Sequence, residues 1–131
     1  MAKLDQTNPK PTIICVDDEK MVLVSLKQQL RRAFAGDYDI DIAESAEEAL
    51  EIMDELMEDG AEIPVIISDQ IMPQIKGHEF LALVHQRLPL SRTILLTGQA
   101  DAEAIGLAVN EAKLYRYISK PGINRLNPYG E

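Results

Sequence analysis

The stretch Thr12-Ile13-Ile14-Cys15-Val16-Asp17-Asp18 joins a short, continuous apolar run to an acidic pair. The lack of alternation between polar and apolar residues predicts a strand that is buried on both faces, as the strands of a parallel sheet are. Two later segments repeat the pattern, since residues 64–68 are followed by Asp69 and residues 92–96 are followed by Thr97. The repetition predicts parallel strands whose carboxyl ends carry polar side chains.

Helical patterns separate these strands. Apolar residues recur at helical spacing after the first strand, and Ser45 with Glu48 three positions later forms a capping-box pattern before a second helix. The predicted helices span residues 20–34, 45–60, 78–87 and 100–110. Each of them follows a predicted strand, as the alternation of an α/β protein requires.

Two more strands complete the predicted sheet. Residues 38–42 alternate between apolar and acidic side chains, as an edge strand with one exposed face does, and residues 114–118 form the fifth strand. Five strands that alternate with helices require right-handed crossovers and a parallel sheet that is covered on both faces. We therefore expect a doubly wound α/β domain over residues 12–121, preceded by a flexible leader at residues 1–11.

Length and charge limit the classes of function. A chain of 131 residues can close one hydrophobic core but not two ordinary domains. The 13 Lys and Arg residues against 22 Asp and Glu residues give a net charge of −9, which opposes binding to nucleic acid. The single cysteine, Cys15, excludes an intrachain disulfide and is expected to be a packed core thiol. No segment has the roughly 20 consecutive apolar residues of a membrane helix, so we expect a cytoplasmic protein without membrane contact.

Reactive side chains follow the predicted strands. Such positions meet at one edge of a parallel sheet, which is where doubly wound proteins bind their ligands. The residues that we expect to meet there are Asp17, Asp18, Asp69, Thr97 and Lys120. Three neighbouring carboxylates would raise one another's pKa unless a hard divalent cation lay between them, and oxygen ligands alone favour Mg²⁺ or Mn²⁺.

This set of groups suits phosphoryl transfer. Asp69 could attack phosphorus as the nucleophile, while Mg²⁺ and Lys120 offset charge on the phosphoryl oxygens and Thr97 donates a hydrogen bond. The product would be an aspartyl phosphate. Taken singly these residues have simpler roles, because Asp17 or Asp18 could cap the first helix and Asp69 or Thr97 could form a turn. Their joint occurrence at the strand ends favours a functional site.

The motif set resembles that of bacterial response-regulator receiver domains, over residues 11–121. The resemblance rests on the acidic pair after the first strand, on Asp69 followed by Met72-Pro73 and Gly77, on Thr97, and on Lys120-Pro121 with Tyr117 three positions before the lysine. It implies the flavodoxin-like strand order 2-1-3-4-5. It also implies a signalling switch of a two-component phosphorelay rather than a turnover enzyme.

The resemblance implies a role for each residue around the acceptor. Asp69 would take a phosphoryl group from the phosphohistidine of a sensor histidine kinase or phosphotransfer protein. Mg²⁺ would be held by Asp18, Asp69 and the backbone carbonyl of Ile71, with Asp17 contributing through water. An output domain or a separate downstream protein would then respond to the phosphorylated state.

Further positions are assigned on the same basis. Thr97 and Tyr117 would rearrange and report the phosphate, and the peptide bond before Pro121 would be cis. Ile71 and Gln99, two positions beyond the acceptor and the threonine, would govern access of hydrolytic water. Because Ile71 cannot hydrogen-bond a water, we expect a long-lived phosphorylated state.

The chain departs from the family pattern after the lysine-proline pair. Residues 122–131 contain two glycines and a further proline, which leave little room for the fifth helix of the family. We expect this irregular tail to stand in place of that helix. The apolar surface left behind would favour a homodimer, an exchanged segment, or cover by the leader.

Other classes of function stay open as alternatives. An interaction module of receiver shape usually lacks the acidic pair, the acceptor or the lysine, and all of these are present. A flavodoxin-type enzyme needs a loop that donates backbone N–H groups to phosphate, whereas Asp17-Asp18-Glu19 would repel it. A haloacid-dehalogenase-type phosphatase would fit Glu19 two positions after Asp17, but Met21 stands where that family has a small hydroxyl residue.

Overall fold

The computed structural model describes residues 9–34, 36–97 and 116–119, with residues 97 and 116–119 described by their backbone alone. In chain order the elements are β1 (Thr12–Val16), α1 (Lys20–Ala33), β2 (Asp39–Ala43), α2 (Ala46–Glu58), β3 (Val65–Asp69), α3 (Gly77–Arg87), β4 (Arg92–Thr97) and β5 (Arg116–Ser119). The strands are parallel and lie in the order β2-β1-β3-β4-β5. The α/β fold expected from the sequence pattern and the strand order implied by the family resemblance are therefore confirmed.

The predicted and observed elements differ mainly at their ends. Helix α3 begins at Gly77, one residue before the predicted start, and β3 extends to Asp69. Strand β5 covers residues 116–119, where the sequence pattern predicts 114–118. The helix predicted at 100–110, the tail at 122–131, most of the leader and the bond before Pro121 lie outside the described residues. The domain boundaries stay predictions.

The interior strands bury side chains on both faces of the sheet. One cluster lies on the α1 face, and its buried residues are Ile13, Cys15, Leu23, Ile40, Ile67 and Leu96. The other lies on the α2 and α3 face, and its buried residues include Ile14, Val16, Met53, Ile66, Phe80 and Leu95. Neighbouring strand residues enter opposite clusters because successive side chains of a strand point to opposite faces. Two-sided burial explains why these strands lack polar alternation.

The single cysteine belongs to the α1-face cluster. Cys15 is fully buried in β1, and desolvation raises the pKa of its thiol to about 12. The thiol is therefore protonated at neutral pH, whereas a reactive cysteine needs the thiolate. Cys15 is a packed core residue, as its apolar neighbours predict.

The helix ends are stabilised by local hydrogen bonds and by glycines. Ser45 Oγ accepts from the backbone N–H of Glu48 at 3.1 Å, and the Glu48 carboxylate accepts from the backbone N–H of Glu44 at 2.7 Å. Gly36 and Gly60 adopt positive φ after α1 and α2, a conformation that glycine adopts without strain. Among the helices in the described part of the chain, none has the length and apolar character to cross a membrane.

The start of α3 lies directly against the end of β3. A Cβ atom added to Gly77 would lie 2.1 Å from the backbone oxygen of Asp69 and 2.9 Å from the Cα of Gln70. The backbone N–H of Gly77 also donates to the carbonyl of Gln70 at 3.0 Å, which closes the loop between the two elements. Only glycine fits this approach, because the neighbouring atoms are backbone and cannot rotate away.

Gly77→Ala is expected to lower the free energy of unfolding by about 2 kcal/mol, because the added methyl group must push two backbone segments apart. Alanine otherwise favours a helix by about 1 kcal/mol relative to glycine, so helix propensity cannot explain a lower free energy of unfolding, and the steric clash can. Urea denaturation measures the difference. Gly60→Ala is the matched control, since its Cβ meets nothing within 4 Å and its φ of +78° alone disfavours alanine. A Gly77→Ala chain as stable as the parent would contradict the close approach.

Thr93→Val in β4 is expected to raise the free energy of unfolding by about 1 kcal/mol, because a methyl group replaces a buried hydroxyl that lacks a partner. Thr93 is 1% exposed, and its hydroxyl makes no hydrogen bond within the described part of the chain. Urea denaturation again provides the measurement. Thr93→Ser keeps the hydroxyl, loses the methyl group and should be less stable than the parent. Destabilisation by valine would show that the hydroxyl is bonded.

Candidate functional site

Three carboxylates meet at the carboxyl ends of β1 and β3. Asp17 and Asp18 follow β1, and Asp69 is the last residue of β3. The two strands are parallel neighbours with Val16 opposite Ser68, which brings their ends to the same edge of the sheet. One carboxylate oxygen from each aspartate lies within 4.8 Å of the other two. We call these three residues the acidic cluster.

The burial of the acidic cluster determines its electrostatics. Asp17 is 0% exposed and Asp69 is 3% exposed, whereas Asp18 is open to solvent. Carboxylates at this spacing repel one another strongly where little water screens them. A divalent cation relieves the repulsion, and the described residues add no histidine or cysteine to the cluster. The oxygen-only donor set therefore fits a hard cation such as Mg²⁺ rather than zinc.

Backbone contacts hold the turn that carries the acidic pair. The N–H of Asp17 donates to the carbonyl of Ala43 in β2 at 3.1 Å, and Asp17 Oδ1 accepts from the N–H of Glu19 at 2.8 Å. Glu19 is the N-cap residue of α1 and its side chain makes no capping hydrogen bond. Neither aspartate occupies the N-cap position, so the simpler capping role does not account for the pair.

The loop after β3 is held by contacts at the backbone oxygen of Asp69. The hydroxyl of Ser68 donates to the backbone oxygen of Asp69 at 2.9 Å, and Gly77 packs against the same oxygen. Ile71 lies in this loop with its side chain 62% exposed. The backbone at Asp69 is therefore fixed from two directions, while the side chain at Ile71 faces solvent.

Gln70 and His78 form a contact that the sequence patterns do not reveal. Gln70 is 5% exposed, its Oε1 accepts from the backbone N–H of His78 at 3.0 Å, and its Nε2 donates to His78 Nδ1 at 2.9 Å. His78 is half-buried. The only sequence signal is a polar residue between Asp69 and Ile71, and that signal does not predict an inward side chain.

The structure describes the remaining expected site residues by their backbone alone or not at all. Thr97 ends β4, directly after Leu96, which is the register partner of Asp69. The backbone of Thr97 therefore lies at the edge of the sheet that carries the acidic cluster. The side chains of Thr97 and Tyr117 and the whole of Gln99 and Lys120 lie outside the described residues.

The chain is similar to proteins of one known family. The family model of the response regulator receiver domain matches residues 13–127. The hydrogenase transcriptional regulatory protein HoxA of Cupriavidus necator is 34% identical over 117 residues, which cover 89% of this chain and 22% of that protein. The chain therefore spans about a fifth of the length of that relative.

Two solved structures resemble the fold closely. The signal receiver domain of an HD domain-containing protein from Pseudomonas fluorescens Pf-5 has a TM-score of 0.75 and 35% identity, covering 86% of this chain and 84% of that chain. A response regulator protein from Burkholderia pseudomallei, solved with a phosphorylated aspartic acid, a calcium ion and citrate, has a TM-score of 0.71 and 26% identity, covering 86% of this chain and 61% of that chain. The chain accordingly belongs to the family of response regulator receiver domains.

Proposed function

We propose that this receiver domain is the phosphoaccepting switch of a two-component system, in which Asp69 takes a phosphoryl group from the phosphohistidine of a sensor histidine kinase or phosphotransfer protein. The acidic cluster is the observation that carries the proposal, because it gathers three carboxylates at the end of β3 where Asp69 lies. The Burkholderia pseudomallei relative supports it, since that protein holds a phosphorylated aspartic acid and a calcium ion.

The proposed reaction moves one phosphoryl group between two side chains. A carboxylate oxygen of Asp69 forms a P–O bond as the P–N bond of the phosphohistidine breaks, and the imidazole leaves with the electron pair and takes up a proton. The product is an aspartyl phosphate, which water later hydrolyses to restore Asp69. Each phosphorylation changes the state of the protein itself, so the domain acts as a signalling module rather than a turnover enzyme.

The residues that would hold Mg²⁺ are Asp18, Asp69 and the backbone carbonyl of Ile71, with Asp17 acting through water. A bound cation would supply positive charge against the phosphoryl oxygens and the clustered carboxylates. Asp17 and Asp69 are buried and held by backbone contacts, whereas the exposed Asp18 leaves the cluster open to solvent on one side. This arrangement suits entry of a small ion and a phosphodonor, and we expect Mn²⁺ to replace Mg²⁺.

Three further residues complete the proposed mechanism. Lys120 would neutralise charge on the phosphoryl oxygens, and Thr97 would donate a hydrogen bond to them. Thr97 and Tyr117 would then change conformation together and present a different surface to an output domain or partner protein. The backbone position of Thr97 supports its part in this scheme, since it follows the register partner of Asp69.

The layout of the rest of the chain is proposed on the sequence pattern. The receiver domain would cover residues 12–121, with a leader before it and an irregular tail after it. A homodimer or exchanged segment at the face normally covered by a fifth helix stays a prediction, because the tail lies outside the described residues. The output domain would belong to a longer protein or to a separate chain.

Incubation of the full chain with a small acyl-phosphate donor and Mg²⁺ is expected to add the mass of one phosphoryl group, and Asp69→Asn is expected to add none, because an amide does not form the acyl phosphate. Intact-mass spectrometry with and without Mg²⁺ makes the measurement. Asp37→Asn is the matched control, since Asp37 is an exposed carboxylate before β2, at the opposite edge of the sheet. It should behave as the parent does.

Other outcomes of this measurement discriminate between functions. A parent chain that binds Mg²⁺ yet gains no phosphoryl group would favour an interaction module with the receiver fold. Equal phosphorylation of the parent and Asp69→Asn would place the acceptor at another residue and overturn the assignment.

Ile71→Asn is expected to shorten the lifetime of the phosphorylated state several-fold, because an amide near the acceptor can orient a hydrolytic water and an exposed isoleucine cannot. Loss of the added mass with time, after removal of the donor, measures the lifetime. Ile71→Val keeps the apolar character and is the control. Equal lifetimes for Ile71→Asn and the parent would contradict the proposed role of Ile71 in controlling the access of hydrolytic water. We propose the same role for Gln99.

A further inference from the structure

Gln70 stands between Asp69 and Ile71, two residues that the proposed function places on the metal. Gln70 is buried, with 5% of its surface exposed, and its side chain contacts His78 in the first turn of α3. The contact spans eight positions in sequence and joins the end of β3 to the start of a helix. A buried amide at this position is neither a packing residue of the apolar core nor a member of the acidic cluster.

Each of the two contacts between Gln70 and His78 pairs a donor with an acceptor. The backbone N–H of His78 can only donate, so it faces Oε1 of Gln70. The Nε2 group of Gln70 can only donate in turn, so it is the donor in the contact with Nδ1 of His78. Loss of the glutamine side chain would leave both groups of His78 unsatisfied in a half-buried position, which is unfavourable.

The backbone of Gln70 is fixed as firmly as its side chain. Its N–H donates to the carbonyl of Leu96 in β4 at 3.0 Å, and its carbonyl accepts from the N–H of Gly77 at 3.0 Å. Two backbone and two side-chain hydrogen bonds thus tie one residue to β4 and α3. The peptide groups on either side of Gln70, including the one that leads to Ile71, take their direction from these contacts.

We propose that Gln70 is a positioning residue of the phosphoacceptor site, acting through His78 to fix the backbone on which Asp69 and the carbonyl of Ile71 are placed. The inference rests on the proposed function for the identity of the ligands. A carbonyl ligand cannot adjust by side-chain rotation, so its position depends on the backbone that leads to it. The peptide between Gln70 and Ile71, whose carbonyl is held by Gly77, comes directly before the carbonyl of Ile71. Groups that orient metal ligands in this way typically change metal affinity by 10–100-fold when they are removed.

Gln70→Leu is expected to weaken Mn²⁺ binding by about tenfold, with a similar fall in the rate of Mg²⁺-dependent phosphorylation. Titration calorimetry of the full chain with Mn²⁺ gives the affinity, and intact-mass spectrometry after acyl-phosphate treatment gives the rate. Val84→Ala is the control for stability, because Val84 is a fully buried residue of α3 outside the loop. It should lower the melting temperature while leaving Mn²⁺ affinity unchanged.

A pair of substitutions at His78 tests the contact without changing Gln70. His78→Asn can present an acceptor oxygen where Nδ1 lies, so near-parental Mn²⁺ affinity is expected. His78→Leu keeps the backbone N–H but removes that acceptor, so an affinity between those of the parent and Gln70→Leu is expected. Near-parental Mn²⁺ affinity in His78→Asn together with reduced affinity in His78→Leu would indicate a specific hydrogen bond. A general packing role would not produce this difference. This pair also decides the matter if Gln70→Leu does not fold.

The outcomes separate this inference from the proposed function. Parental Mn²⁺ affinity and phosphorylation in folded Gln70→Leu would overturn the positioning role, and so would an equal loss of affinity in Val84→Ala. A parent chain that binds Mn²⁺ but takes no phosphoryl group would contradict the proposed function alone, because the Mn²⁺ affinities still report on Gln70. A parent chain that binds no Mn²⁺ would contradict both.

Discussion

Parallel pairing of β1 with β3 is the constraint on which the rest of the structure depends. The two strands run through the centre of the sheet, with Val16 opposite Ser68 and buried clusters on both faces. Polar side chains are excluded along most of such strands and accumulate where the strands end. Asp17 and Asp69 each follow directly after that last register pair, so the pairing itself brings their carboxylates together.

The same pairing places carboxylates close together in a largely buried site. Two of the three carboxylates are almost completely buried, and their mutual repulsion opposes folding unless positive charge lies among them. A cation that bound only the folded state would stabilise it by mass action, so the proposed metal binding would couple to stability. The surrounding backbone is correspondingly rigid, since Ser68, Gly77 and Gln70 restrain the loop after Asp69.

Local pattern predicted the strands and helices well because each is a repeating backbone conformation with its own side-chain period. The continuous apolar run at residues 12–16 indicated two-sided burial, and Ser45 indicated where α2 begins. The start of α3 and the end of β3 each differ from the prediction by one residue. Backbone pairing sets them rather than periodicity, since the N–H of Phe80 donates to the carbonyl of Lys76 and Asp69 pairs with Leu96. The acidic cluster was predictable since strand ends in a parallel sheet share an edge.

The contact between Gln70 and His78 was not predictable, because it depends on how α3 packs against β3. A glutamine in a loop is usually solvated, and only the folded arrangement turns its amide inward onto a residue eight positions away. The close packing of Gly77 against the backbone of Asp69 is of the same kind, since a glycine at the start of a helix has many explanations in sequence.

The sequence by itself determined the α/β class, the two-sided burial of the strands and the identity of the carboxylates at their ends, since these follow from local periodicity and chain direction. Only the tertiary structure decided which of those carboxylates are buried, how close they lie, and which residues restrain the loop beside them. The physical reason is that distances and burial arise from the packing of elements remote in sequence, and a one-dimensional pattern carries no direct measure of either.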